Sequence, residues 1–285
     1  MTAVDAGLDA PALTALEEVP PRPAGARRVR EVEVELPVGL LDADGRLHRT
    51  ATVRKMTGHE EAVLADRKLR ANGGRLVTEL LSSCVRRLGD VSPVTRQVAA
   101  SMASPDRNFL LLELRKLTFG CELEASYTCP SCRTTTTATE DLDSFAVRRS
   151  EVGGSHDLVV ELDDGYEDHA NGAWYTTLRF RLPTGADEER VASGARENPA
   201  RATNALLARC LVEAVDEDGE AMPAARREGL GTRLLQDLTM GDRGRIERAF
   251  REQMPGVDLT REIECEGCGR AIHASLDLTS FFTPS

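Results

Sequence analysis

Charged and apolar residues alternate along Glu31-Val-Glu-Val-Glu-Leu36, the period of a strand that buries one face. Leu40-Leu-Asp-Ala-Asp-Gly45 supplies turn chemistry, and Leu47 to Lys55 reads as the returning strand, so this stretch predicts a β-hairpin. The period then lengthens. Thr57-Gly-His-Glu60 has the spacing of a capping box, in which a threonine hydroxyl and a glutamate three residues on satisfy each other's backbone amides. The helix it opens is expected to run to Arg70 and to stop at Asn72-Gly73-Gly74. A second helix, predicted over 75–88, places Leu76, Leu80, Leu81, Cys84 and Leu88 on one face. Gly89 and Pro93 precede a third, short helix expected at about 93–102. Ser104-Pro-Asp-Arg107 then starts a Leu-rich helix, with Ser104 as its cap, Pro105 in its first turn and Gly120 as a left-handed stop. Strands are expected at 123–127 and 134–139, on either side of Cys129-Pro-Ser-Cys132.

The same order recurs. Leu158 to Leu162 and Trp174 to Leu182 predict a second hairpin. Arg179-Phe-Arg-Leu-Pro-Thr184-Gly185 then echoes Thr52-Val-Arg-Lys-Met-Thr57-Gly58, with Asp187 and Glu188 where Glu60 and Glu61 stood. Leu206-Leu-Ala-Arg-Cys210 matches Leu80-Leu-Ser-Ser-Cys84. Residues 106–145 align without a gap on 242–281, with twelve of forty positions identical. Among these are Asp106/Asp242, Arg107/Arg243, Arg115/Arg251, Gly120/Gly256, Leu123/Leu259 and Phe145/Phe281, together with both members of a second pair, Cys265-Glu-Gly-Cys268. About ten further residues near Asp216 to Arg227 enlarge the second unit. The expected architecture is α+β, with two tandem similar units over 29–148 and 149–285 behind a flexible Pro- and Ala-rich leader at 1–28. Each unit comprises a β-hairpin, a small helical bundle and a Cys-x-x-Cys hairpin.

At 285 residues and 41% hydrophobic content the chain can bury real cores, but 4% aromatics makes them cores of Leu, Val and Ala. A formal net charge of -11 argues against a general nucleic-acid binder, although Arg22, Arg27, Arg28 and Arg30 hint at a local basic stripe. No apolar run is long enough to span a bilayer, and the N-terminus lacks the features of a signal peptide. A cytoplasmic location is expected, and there paired cysteines serve as metal ligands more often than as disulfides.

Each Cys-x-x-Cys brings two ligands, and two pairs make the four-thiolate set of a closed structural zinc site. The expectation is one Zn²⁺ per chain, held by Cys129, Cys132, Cys265 and Cys268 and shared between the units. His273, five residues beyond Cys268, is an alternative ligand, but Thr137 stands in its place in the first unit. A thioredoxin-like redox pair or metal-free remnant turns are the other readings. Cys84, Cys210 and Cys121 are read as packing residues. Asp106 and Asp242, each near the start of a helix, favour the helix dipole, and Arg107 and Arg243 are candidates to bridge the units. No phosphate loop, nucleophile elbow or two-histidine metal helix occurs, so no catalytic residue and no small-molecule substrate is expected.

Residues 104–120, Ser-Pro-Asp-Arg-Asn-Phe-Leu-Leu-Leu-Glu-Leu-Arg-Lys-Leu-Thr-Phe-Gly, running on to Cys129-Pro-Ser-Cys132, resemble the T4-type baseplate hub family. These proteins, also described as baseplate hub assembly chaperones, belong to contractile phage tails and related injection systems. Met56-Thr-Gly-His-Glu-Glu61 is similar to the family's strand-to-helix junction, and the likeness is fullest over 30–148. The second unit keeps Asp242, Arg243, Gly256 and its cysteines, but has Arg245, Glu247 and Arg248 where the Leu run was. The resemblance implies a non-enzymatic role in building the baseplate or hub, through contacts with its subunits and with incorporation into the particle left open. A zinc-ribbon regulator that binds nucleic acid is the alternative, although Glu262, Glu264 and Glu266 crowd the second pair.

Overall fold

The computed structural model describes residues 30–195, 197–276 and Phe282. The expected leader over 1–28 and the repeat positions 277–281 lie outside the described residues. Strands β1 (Glu31–Leu41) and β2 (Leu47–Arg54) form the first hairpin, and β3 (Val85–Leu88) adds to the far side of β2, all antiparallel. The third strand replaces the last turn of a predicted helix. The helix ends at Cys84, and a bulge beside Thr52 and Val53 lets β3 bury both Val85 and Leu88 while Arg86 and Arg87 face water.

The helix expected to reach Arg70 is divided in two. Asp66 adopts an extended conformation and its carboxylate accepts the Lys68 amide at 2.7 Å, so that α1 (Gly58–Ala65) is followed by a single turn, α2 (Arg67–Arg70). Asn72-Gly-Gly, expected as a stop, is a start. The Asn72 side chain caps α3 (Gly73–Cys84) by accepting the Arg75 amide at 3.0 Å. After α4 (Arg96–Ser101) comes α5 (Ser104–Phe119), whose Ser104 lies inside the helix and gives its amide to Pro183 O at 2.8 Å; Ala103 is the cap residue. Gly120 ends α5 with φ +98°, though its ψ of 175° lies outside the left-handed helical region.

Strands β4 (Glu122–Thr128) and β5 (Thr135–Asp141) carry the first cysteine pair, and a short strand β6 (Val147–Arg148) follows. Strands β7 (Leu158–Asp168), β8 (Ala173–Phe180) and β9 (Leu211–Asp216) build a sheet of the same order and sense as β1-β2-β3. Between them lie α6 (Gly185–Ala195) and α7 (Pro199–Cys210), the latter capped by Asn198 as α3 is by Asn72. Helices α8 (Ala224–Leu230), α9 (Thr232–Asp237) and α10 (Met240–Gln253) lead to β10 (Gly256–Val257), which pairs with β6. The hairpin of β11 (Thr260–Glu264) and β12 (Ala271–Ser275) carries the second cysteine pair.

Two apolar cores result. One gathers β1–β3, α3 and α5 with both cysteine hairpins, including Cys129, Cys265, Ile272, Leu276 and Phe282. The other gathers β7–β9, α7, α9 and α10. The second cysteine hairpin therefore packs on the core of the first half of the chain. A joint holds the halves together elsewhere. Helix α6 lies on α3, the Asn72 amide group donates to Glu189 O at 2.8 Å, and Gly185 N donates to Met102 O at 3.1 Å. Gly74 is obligatory at this joint, because a Cβ there would stand 2.7 Å from the Glu189 backbone nitrogen.

Candidate metal centre

Both cysteine turns are built alike. Cys129 N donates to Thr134 O and Arg133 N to Cys129 O, at 2.9 and 3.0 Å; Cys265 N donates to Arg270 O and Gly269 N to Cys265 O, at 2.9 and 2.8 Å. Each turn needs a positive φ one residue beyond its second cysteine. Gly269 supplies +68° without strain, whereas Arg133 holds +65° with a side chain. The turns interlock: Gly267 lies so close to Thr134 that an added Cβ would sit 2.4 Å from its hydroxyl, and Glu266 N donates to Thr136 Oγ1 at 3.1 Å. Beneath them, Arg261 on β11 reaches Glu140 on β5 at 3.0 Å and stacks over the Phe145 ring, while Tyr127 donates to the same Glu140 at 2.7 Å.

The result brings together all four cysteines that the sequence singled out. Their Sγ atoms lie within 4.8 Å of one another, with Cys129 to Cys268 at 3.7 Å and Cys132 to Cys265 at 3.5 Å. A tetrahedron of sulfurs around Zn²⁺ at ~2.3 Å has edges of ~3.8 Å, whereas a disulfide needs ~2.05 Å. The spacing therefore fits a four-coordinate ion and no S–S bond. Cys129 and Cys265 are buried, and Cys132 and Cys268 are at the surface. Hydrogen bonds from the Thr134 hydroxyl and amide pull Cys132 down to about 6. At Cys268 the Arg270 amide favours the thiolate, but desolvation and the other three sulfurs prevail and push the thiol up to about 11. Four sulfurs this close cannot all carry charge unless a cation sits among them.

The other sulfur and nitrogen candidates stand apart. His273 is exposed on β12, 3.8 Å from Glu262, and Cys121 neighbours Asp143. Cys84 and Cys210 are fully buried, and desolvation raises both thiols to about 12.

Asp106 and Asp242 have a larger role than favouring a dipole. Asp106, buried, accepts the amides of Val38 and Gly39, both at 2.8 Å, in the bulge of β1. Asp242 accepts those of Asp163, Asp164 and Gly165 in the bulge of β7, at 2.6, 3.1 and 3.0 Å. Gly39 and Gly165, both with positive φ, permit each bend, and their matched placement was the available sequence signal. The arginines that follow also correspond. Arg107 donates to Ala99 O and the Thr78 hydroxyl, and Arg243 to Leu235 O and the Asn204 side chain. Arg107 also bridges to the other half, with Nε 3.3 Å from Glu188. Glu60 is gripped by Arg54 at 2.7 Å and by Thr57 N at 2.8 Å; Asp187 is gripped by Arg181 at 2.7 Å and by Thr184 N at 3.1 Å. Burial alone would raise these two carboxyls, but the partner hydrogen bonds prevail and hold both below the usual range. Each of these buried carboxylates is occupied in fixing backbone.

Among the described residues, no helix is long and apolar enough to cross a membrane. A family model described as T4 bacteriophage base plate protein matches residues 30–283. No curated protein and no solved structure matches the chain.

Proposed function

The chain belongs to the T4 bacteriophage base plate protein family, and from that membership we propose that it is a non-enzymatic assembly or structural component of the baseplate or hub of a contractile injection system. It acts through contacts with other baseplate subunits. The observation that carries this reading is a family match that takes in both halves of the chain, cysteine hairpins included. The lack of a catalytic role is supported by the carboxylates: Asp106, Asp242, Glu60 and Asp187 are all spent on backbone amides and arginines.

Within that function the four cysteines hold one structural Zn²⁺ per chain. Soft thiolates in a closed four-sulfur shell select zinc over hard cations and leave no position for substrate. Its role is to clamp the β4–β5 and β11–β12 hairpins together, adding folding energy to their packing on the first core. The chain reads as a tandem duplication, and the matched Asp, Arg and Asn contacts of its halves support that reading.

Two measurements test this. Native mass spectrometry should find one zinc per chain, lost in both Cys129→Ser and Cys265→Ser; two zincs, or loss from one variant only, would sink the shared site. Deleting the gene should leave tails without assembled baseplates in electron micrographs. Normal, contractile particles from the deletion strain would refute the baseplate role.

A further inference from the structure

The joint between the halves has two sides, and each half carries both. Within the chain, the plug is the turn into α6: Thr184 forms a β-bridge with Ala103, Gly185 N donates to Met102 O at 3.1 Å, and Glu188 meets Arg107 at 3.3 Å. Its socket is built from Asn72, Ser104 and Arg107. The corresponding plug of the first half, Thr57, Gly58 and Glu61 at the start of α1, is exposed. The corresponding socket of the second half holds no plug among the described residues: Asn198 is exposed, Met240 is 82% exposed and Arg243 is half-buried.

We propose that these two free faces dock on each other between copies of this chain, so that the plug at α1 enters the socket beside α10 of a second copy, head to tail. Three observations favour a second copy as the occupant. The first is charge. Arg107 has Glu188, but among the described residues Arg243 faces no carboxylate and Glu61 no cation, so each free face holds the partner the other lacks. The second is Gly58. At the matching Gly185 a Cβ would lie 2.3 Å from the Arg107 guanidinium, which explains the glycine there. Gly58 has open space around it among the described residues and no positive φ, so no described contact calls for a glycine; the approach of Arg243 from another copy does. The third is Met240, at the helix position whose counterpart Ser104 gives its amide to the plug, and the most exposed large apolar side chain described. One position departs from the template. Ala200 stands where Gly74 touches the Glu189 backbone, so a docked α1 sits further from α7 than α6 does from α3. The contact between copies is accordingly weaker than the joint within one, and it is heterologous, able to continue into a ring or a row.

The test is sedimentation velocity of the full-length, zinc-loaded chain, with Gly58→Leu blocking the plug and Met240→Glu placing a carboxylate in the socket against Glu61. Both sites are exposed, and circular dichroism checks that each variant folds. The wild type should grow in sedimentation coefficient with concentration up to ~100 µM, and each variant should associate at least ~10-fold more weakly. Glu61→Arg, a second exposed plug variant, should weaken association likewise. Mixing Gly58→Leu with Met240→Glu should give a pair that stops at two chains, because each supplies the face the other retains. A wild type that stays monomeric, variants that associate as the wild type does, or a mixture that does not pair would each overturn the proposal.

Discussion

Replacing Asp106 by Asn separates two opposing effects at one buried site. The carboxylate accepts amides from Val38 and Gly39 at 2.8 Å through one oxygen each. An asparagine has one oxygen, so its NH₂ must face one of those N–H groups, and a buried donor left without an acceptor costs ~1–3 kcal/mol. Against this, burial raises the Asp106 carboxyl from 3.8 to about 6, although the two amides, Arg49 and Arg149 hold it down. Ionising it in the folded protein at neutral pH therefore costs on the order of 3 kcal/mol, which Asn does not incur. At pH 7 these opposing effects nearly offset, leaving the two proteins within ~2 kcal/mol of each other. The sign with pH follows from the raised value. As pH falls through about 6 the native state takes up a proton before the unfolded chain does, so the wild type gains stability until the unfolded carboxyl titrates near 3.8. Between pH 7 and 5 the gain is ~1 kcal/mol and is missing from Asp106→Asn, so the gap, wild type minus variant, should rise by that amount. Urea unfolding of both zinc-loaded proteins, followed by circular dichroism at each pH, reads that gap directly; comparing the two cancels the acid sensitivity of the thiolate site. A gap, so signed, that stays constant or falls toward pH 5 would refute the buried-charge argument.

The two matched glycines should behave oppositely. Gly185→Ala drives a methyl into the Arg107 guanidinium and should cost about 2–3 kcal/mol, whereas Gly58→Ala, in open space, should change stability by less than ~0.5 kcal/mol in thermal melts at concentrations where the chain is monomeric. Arg133→Gly removes a side chain from a φ of +65° and should raise the melting temperature by the equivalent of ~1 kcal/mol; a loss of stability would mean the arginine has a role of its own. Iodoacetamide should leave Cys84 and Cys210 unlabelled in the native protein, since both are buried with thiols raised to about 12. Stripping the metal with a chelator should open Cys132 and Cys268 to labelling and lower the melting temperature; labelling unchanged by the chelator would count against a bound ion.

The hairpins, the capping box at Thr57, the Leu-rich helix and the convergence of four cysteines were legible because each depends on local period or fixed spacing. The break at Asp66 is local, set by its carboxylate accepting the Lys68 amide, but the other misread elements depend on a partner distant in sequence. Val85-Arg-Arg-Leu88 continues a helical face as naturally as it forms a strand, and only the free edge of β2 decides for the strand. Asn72-Gly-Gly looks like a helix stop until Gly74 is seen pressed on α6, more than a hundred residues on. Asp106 and Asp242 gave matched positions and an incomplete role, because the amides they accept lie in strand bulges that no residue pattern marks apart from Gly39 and Gly165.

The loss of the Leu run in the second half follows from where the cysteine hairpins go. Helix α5 buries Phe109, Leu110, Leu111, Leu112 and Leu114, a spread too wide for one face, because the first sheet covers one side and the first core, which includes both cysteine hairpins, surrounds the rest. Helix α10 buries only Asp242, Ile246 and Ala249, and its positions Arg245, Glu247 and Arg248 meet water. A helix with cover on one side cannot keep five large apolar residues without exposing them. What the two helices do keep is Asp and Arg at the same places, where each carboxylate accepts the amides of a strand bulge and each arginine donates to a backbone carbonyl. The matched polar residues therefore report how the halves fold. Surface left over when both hairpins settled on one core, the charged face of α10 beside Met240 among it, is where the second half is free to meet other chains.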